Sequence, residues 1–323
     1  MNFRKKKSFP VPTLVQSEEQ SVTVTKCDFS IFKGLFLGGS SGLFFASTAL
    51  LVKYMFNIPT PQLVLIRFIG IFLFSLPEAV KFQGNVFGQK HERLTIFVRC
   101  ILGATHIFLS YTSFRFLPLG EASVIILSYP AFVALFAKLL LKEPCGISQG
   151  LILILTIVGI CFVVKLLAIF EGKTIAYSKE TTYGLLAGVG SVLLNTFQII
   201  FIRKLKDVPH AVMMFNLGWI GVLEAVIVIA ITGTIKWHDC GIQGFLIILL
   251  AVFNYASQIL LILALQGEFA APVTIMRASM DIMLSFFFQT FIFKDIPDKY
   301  SIIGSTIIGI SFVLSGIKKW ISR

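Results

Sequence analysis

Arg277 and Asp281 stand four residues apart inside TIMRASMDIMLSFFFQTFIF (residues 274–293), a stretch otherwise apolar enough for lipid. An ionisable side chain at the centre of a bilayer costs about 2.5–3.5 kcal/mol on insertion scales, so its presence asks for a reason. At this spacing the two share one face of a helix. Two readings stay open. Either the pair neutralises itself and merely makes the helix insertable, or its face lines a cavity where Arg277 receives a ligand while Asp281 orients it or couples to a proton. A guanidinium fork matches carboxylate or phosphate oxygens bidentately, which points to an organic anion.

Arg67, in LVLIRFIGIF (63–72), has no acid within four positions. It needs a partner from another helix, a backbone carbonyl or a bound anion, unless it snorkels to the nearer membrane face. By sequence, the acids available are Glu224 in GVLEAVIV and Asp281. Arg99, in FVRCILG, lies near a span end and is expected to snorkel. Asn195, Gln198, Asn216, Asn254, Gln258 and Gln289 also fall inside apolar runs. They either face a cavity or act as interhelical glue. His106, in GATHIFLSY with Tyr111 five residues on, is either a packed, hydrogen-bonded histidine or a proton-coupling group. The expected substrate-binding set is Arg277, Asp281, Arg67, Asn254, Gln258 and Asn195, with Glu224 and His106 as coupling candidates.

The elements that carry these residues follow from composition. The 323-residue chain is 56% hydrophobic with 33 phenylalanines, and only 14% of it is charged. Its mean hydropathy is +0.87. An ordinary soluble domain is about a quarter charged. Ten apolar runs, near 33–54, 62–81, 94–114, 120–141, 147–166, 182–203, 211–232, 243–264, 269–293 and 300–317, have the length that crosses a hydrocarbon core. They show no alternation of the kind a membrane β-strand needs, and helices satisfy their own backbone in lipid. The expected fold is an all-α membrane protein of ten transmembrane helices.

Residues 1–30 carry RKKK followed by Pro10, Pro12 and a polar stretch, which reads as a cytosolic, disordered tail rather than a signal peptide. Most Lys and Arg outside the spans fall on the side of the amino terminus, so the positive-inside rule places both termini in the cytosol. The net charge of +12 follows from this bias and is no argument for nucleic-acid binding. Five cysteines without C-x-x-C spacing or a histidine cluster support neither a metal site nor a disulfide framework. No phosphate-binding G-x-x-x-x-G-K-[ST] loop or nucleophile elbow is present, so neither an enzyme nor a cofactor is expected.

The chain is also written twice. A shift of 150 residues lays GLFLGGSS (34–41) on GLLAGVGS (184–191), Lys53 on Arg203, Pro59 on Pro209, and TIVGICFV (156–163) on TIIGISFV (306–313). LLLKEP (139–144) mirrors FIFKDIP (291–297) at a shift of 152. Each copy holds five spans, an odd number, so the second copy must enter the membrane from the opposite side. Such inverted repeats are common in secondary transporters, with the substrate near the midplane at the repeat interface. The copies are expected at 31–166 and 182–317, joined by a loop at 167–181 and followed by a short cytosolic tail at 318–323. The G-x-x-x-G spacings at 34–38, 38–42 and 184–188 read as close helix packing.

Duplicated five-span halves, each with an acid after its fourth span (Glu143, Asp295), resemble the EamA-type drug/metabolite transporter superfamily. LPLGEASVIILSYPAFVALFAKLLLKE (117–143), with its mid-span Pro130, is similar to that family's fourth span. APVTIMRASMDIMLSFFFQTFIF (271–293) resembles the ninth span of solute carrier 35 subfamily G, including its basic-x-x-x-Asp pattern. The resemblance spans about residues 33–317 and implies a ten-helix solute carrier without ATP chemistry. The function expected is secondary transport of a small organic anion, such as a di- or tricarboxylate. A nucleotide-sugar or nucleoside-type substrate, or a regulator that binds other membrane proteins without transport, remain alternatives. The expected partners are that solute and the lipid bilayer, with a homodimer left open. The plasma membrane and the endoplasmic reticulum or Golgi are equally compatible with the sequence.

Overall fold

The computed structural model describes residues 29–141, 179–233, 241–296 and 298–307, with a few isolated positions at 154–162 and 309–310. The described residues are helical and contain no strand. In chain order the helices are α1 (Phe29–Tyr54), α2 (Thr60–Lys81), α3 (Arg93–Phe116), α4 (Leu119–Ile126), α5 (Tyr129–Leu141), α6 (Lys179–Lys204), α7 (His210–Thr232), α8 (Ile242–Gly267) and α9 (Ala270–Phe291). Residues 299–307 form a further helical stretch. Among the described residues eight segments are long and apolar enough to cross a membrane, with α4 and α5 counted together as one. The expected fifth span, most of the tenth, both tails, the 167–181 loop and Glu143 lie outside the described residues.

Local chemistry sets the helix ends. Pro59, Pro118 and Pro209 stand just before α2, α4 and α7 with extended ψ, where a missing N–H is harmless. Gly233 ends α7 in the left-handed conformation, its N–H bonded to the Ile229 carbonyl. The expected fourth span is not one helix. It breaks at Leu127–Ser128, where Leu127 takes φ −86° and ψ 8°. Pro130 supplies the reason, since it has no N–H to return to the Ile126 carbonyl four residues earlier.

Packing follows a regular pattern. Helix α1 packs on α8 and α9, as α6 packs on α3 and on α4–α5. Helix α2 crosses α7, and the α2–α8 contact has a counterpart in α7–α3. Exchanging α1 with α6, α2 with α7, α3 with α8, and α4–α5 with α9 maps this set of contacts onto itself. The side-chain bonds follow suit. Lys53 donates to the carbonyls of Arg115 (3.4 Å) and Leu117 (2.6 Å), and Arg203 donates to that of Leu265 (2.9 Å).

Glycines allow the closest approaches. A Cβ at Gly42 would collide with the Arg277 carbonyl, so α1 lies directly on the α9 backbone where Arg277 emerges. A Cβ at Gly70 would stand 2.6 Å from that of Ala251, which brings α2 against α8 one turn from Arg67. The expected glycine stripes pack as read: Gly34 and Gly38 meet Glu268 and Val273, while Gly184 and Gly188 meet Leu117 and Ile125.

Candidate functional site

Two buried polar groupings occupy the interior. In the first, Arg67 on α2 is 2% exposed and donates to Asn254 Oδ1 on α8 and, at 3.4 Å, to the Tyr111 hydroxyl on α3. Tyr111 itself donates to Asn254 Oδ1 at 3.1 Å, and Asn254 Nδ2 donates to its own helix at Leu250. Neither acid expected as a partner for Arg67 reaches it. Glu224 instead accepts from Thr105 at 2.8 Å across the α3–α7 seam. Nor does Arg67 snorkel: the Gly70–Ala251 contact closes α2 on α8 around it.

In the second grouping, Arg277 on α9 lies over the Phe45 ring of α1 at 4.8 Å. It forms no hydrogen bond of good geometry among the described residues, and its Nε is sealed without a partner. The Tyr129 hydroxyl, on the first residue after the α4–α5 break, sits beside the guanidinium without completing a hydrogen bond. Asp281, fully buried one turn further along α9, does not form an ion pair with Arg277. Its Oδ1 accepts from Ser285 at 3.2 Å, and Ser285 accepts from Ser123 of α4 at 2.8 Å. The self-neutralising pair open to the sequence is therefore not formed. The order of the charges explains part of this, because acid before base is the better arrangement at i, i+4 and here the base comes first. Ser285 draws Asp281 toward α4 while Phe45 holds Arg277 against α1.

Arg67 and Arg277 lie within electrostatic range of each other and of His106. His106 is buried, its Nδ1 facing the Ser110 and Ser191 hydroxyls at 3.4 Å, and these two serines are 2.6 Å apart. It lies buried at the α3–α6 contact, with these two hydroxyls as its polar neighbours. Ser41 and Ser257 make the corresponding link between α1 and α8, where Ser41 donates to the Ser257 carbonyl at 2.7 Å. Asn195 and Gln258 are buried; Gln258 Nε2 has no partner, and Asn195 makes no hydrogen bond among the described residues.

The remaining polar residues are structural. Gln289 Oε1 accepts from the Gly120 N–H at 2.6 Å, satisfying the start of α4, and its Nε2 donates to Asp295. Asn216 donates to Val86 and so ties α7 to the loop after α2. The expectation for Arg99 is corrected. It is fully buried and donates to the Met213 carbonyl at 2.9 Å, because α7 covers the path it would take to the membrane surface. A cavity of about 680 Å³ lies at the Lys53 end, lined by Phe56, Ile242, Gln243 and Phe293 among others, and holds none of the candidate residues.

The profile of the EamA-like transporter family matches residues 32–165. Over 89% of this chain and 80% of the relative, the sequence is 28% identical to human solute carrier family 35 member G1. The mouse protein of that name is 27% identical over the same share of this chain and 79% of its own. The chain is similar to the EamA-type transporters. Its kinship with solute carrier 35 subfamily G, read from the ninth span, holds over most of the length. The pseudopaline exporter CntI of Pseudomonas aeruginosa is 23% identical over 87% of this chain and 94% of its own. A solved crystal structure at 16% identity superposes with a TM-score of 0.64, covering 88% of this chain and 96% of that one, so the two share a fold. The family whose profile matches is described as one of transporters.

Within the helix bundle, Tyr111, Tyr129 and Ser285 join the site without having been singled out as ligand contacts from sequence. Each had a signal. Tyr111 belongs to the His106 stretch, Tyr129 precedes the mid-span Pro130, and Ser285 lies one turn from Asp281 on the same face.

Proposed function

We propose that this chain is a secondary-active carrier that moves a small organic anion, of the di- or tricarboxylate class, by alternating access. The observation that carries the reading is the pair of buried arginines. Arg67 and Arg277 come from opposite halves, lie within electrostatic range of each other, and neither has a carboxylate in ion-pair contact. Buried cations are strongly disfavoured unless compensated, and a carboxylate-bearing ligand between them supplies what the protein withholds. Asn254 and Tyr111 orient Arg67, Phe45 and Tyr129 flank Arg277, and Gln258 and Asn195 add neutral polar contacts.

Alternating access is supported by the exchange symmetry of the helix contacts and by the matching Lys53 and Arg203 bonds. Both are what an inverted repeat of 31–166 and 182–317 implies. The discontinuous α4–α5 segment beside Arg277 is a further feature of transporter sites. The Lys and Arg bias favours both termini in the cytosol, and the exporter among the relatives favours outward movement of the solute. The test is uptake of labelled dicarboxylates and tricarboxylates, beside nucleotide-sugars, by the purified protein in liposomes. Carboxylate uptake that vanishes in Arg277→Gln supports the reading; uptake of nucleotide-sugars alone, or none at all, refutes it.

A further inference from the structure

We propose that the ligand of this site carries a hydrogen-bond donor, a hydroxyl or ammonium group, beside its anionic group, and that Asp281 reads that donor. The inference rests on the anion-binding reading above. It starts from the direction in which Asp281 is held. Ser123 on α4 donates to Ser285, and Ser285 donates to Asp281 Oδ1. This two-serine relay fixes one oxygen toward α4 and leaves Oδ2 sealed with no partner. One turn earlier, Arg277 Nε is likewise sealed and unpartnered.

A buried acceptor and a buried donor therefore stand one helical turn apart, and they are not bonded to each other. A plain carboxylate could satisfy only the guanidinium, and its own oxygens would face those of Asp281. A ligand with an O–H or N–H next to its carboxylate satisfies both ends at once. The sequence admits Asp281 as an orienting residue but shows neither the relay nor the orphaned oxygen. Ser285 is in this view a positioning residue, because it sets which oxygen of Asp281 is free.

The experiment uses full-length protein in liposomes and takes labelled malate as the probe. Unlabelled succinate, malate and aspartate compete; they share one carbon skeleton and carry no substituent, a hydroxyl or an ammonium. A site built around a ligand donor rejects analogues that lack it, so malate or aspartate should compete at least about tenfold better than succinate. Malate ahead of aspartate identifies a hydroxyl reader, and the reverse order an ammonium reader. Asp281→Asn should bring the three competitors to within roughly threefold of one another, and Ser285→Ala should move the ratio the same way by a smaller factor. Should Asp281→Asn fail to fold, the wild-type ratios and Ser285→Ala still decide. Equal competition by all three in the wild type overturns the inference and leaves the anion reading standing. So does discrimination that survives in folded Asp281→Asn. Folded wild type that takes up no labelled malate overturns this inference, and the anion reading falls with it when labelled tricarboxylates are not taken up either.

Discussion

Asn254→Leu should be the most informative substitution away from the Arg277 region. Leucine keeps the fork of asparagine at Cγ but replaces its polar atoms with methyl groups, so the hydrogen bonding is removed while an apolar branch still fills the α2–α8 contact. Asn254 Oδ1 accepts from both Arg67 and Tyr111, and both bonds are lost together. A hydrogen bond to a charged group contributes about 1.5–3 kcal/mol and a neutral one about 1 kcal/mol. Neutral interhelical bonds in membranes average nearer 0.6 kcal/mol. The expected destabilisation is therefore about 2–4 kcal/mol, mostly from stranding the Arg67 charge in a sealed interior. Each kcal/mol shifts Tm by roughly 2–4 °C in a larger domain, so a drop of roughly 4–16 °C is expected. Tyr111→Phe removes only the weaker bonds and should lower Tm by no more than about 4 °C. The double substitution Arg67→Met with Asn254→Leu removes the charge along with its acceptor. It should regain most of the lost stability yet transport nothing, because breaking a buried pair is worse than replacing it with apolar groups. Thermal unfolding in detergent, followed by tryptophan fluorescence, measures all four proteins. Asn254→Leu melting with the wild type, or the double variant melting below Asn254→Leu, would refute the argument.

Three further outcomes follow from the same geometry. Arg277→Gln should abolish carboxylate uptake while the protein stays monodisperse and melts near the wild type, because Arg277 makes no hydrogen bond of good geometry that the fold depends on. Gly42→Leu should destabilise by about 1–3 kcal/mol, since its Cβ collides with the Arg277 carbonyl and α1 must move off α9; a melting curve unchanged from wild type would count against that contact. Arg99→Met should be neutral or stabilising and should keep uptake, because Arg99 Nε and Nη2 are buried without partners and a flexible apolar side chain fills similar space. Lost uptake in well-folded Arg99→Met would give Arg99 a functional role that the geometry does not assign.

Much of the fold was legible in the sequence because the signals involved are local or additive. Hydropathy summed over about 20 residues finds a span whatever its neighbours are, and the described helices fall where eight of the ten runs predicted them. Proline and glycine marked helix starts and close approaches through their own covalent geometry, as at Pro59, Pro209 and Gly42. Pro130 was visible in the same way, but sequence alone did not reveal that it splits the fourth span, since a proline in a membrane helix can equally produce only a kink.

The sequence by itself therefore determined which polar side chains lie within helices long and apolar enough to cross a membrane. Arg67, Arg277, Asp281, Asn254 and Gln258 all fall within such apolar runs, and all are buried. Only the tertiary structure decided what each of them touches. Arg67 meets Asn254 and Tyr111 rather than Glu224 or Asp281, Asp281 turns to Ser285 rather than to Arg277, and Arg99 is covered by α7 rather than reaching the membrane surface. The physical reason is that transfer from water to lipid is priced residue by residue along the chain. The choice of hydrogen-bond partner depends instead on which helix faces meet, and that is set by packing between segments as far as 216 residues apart.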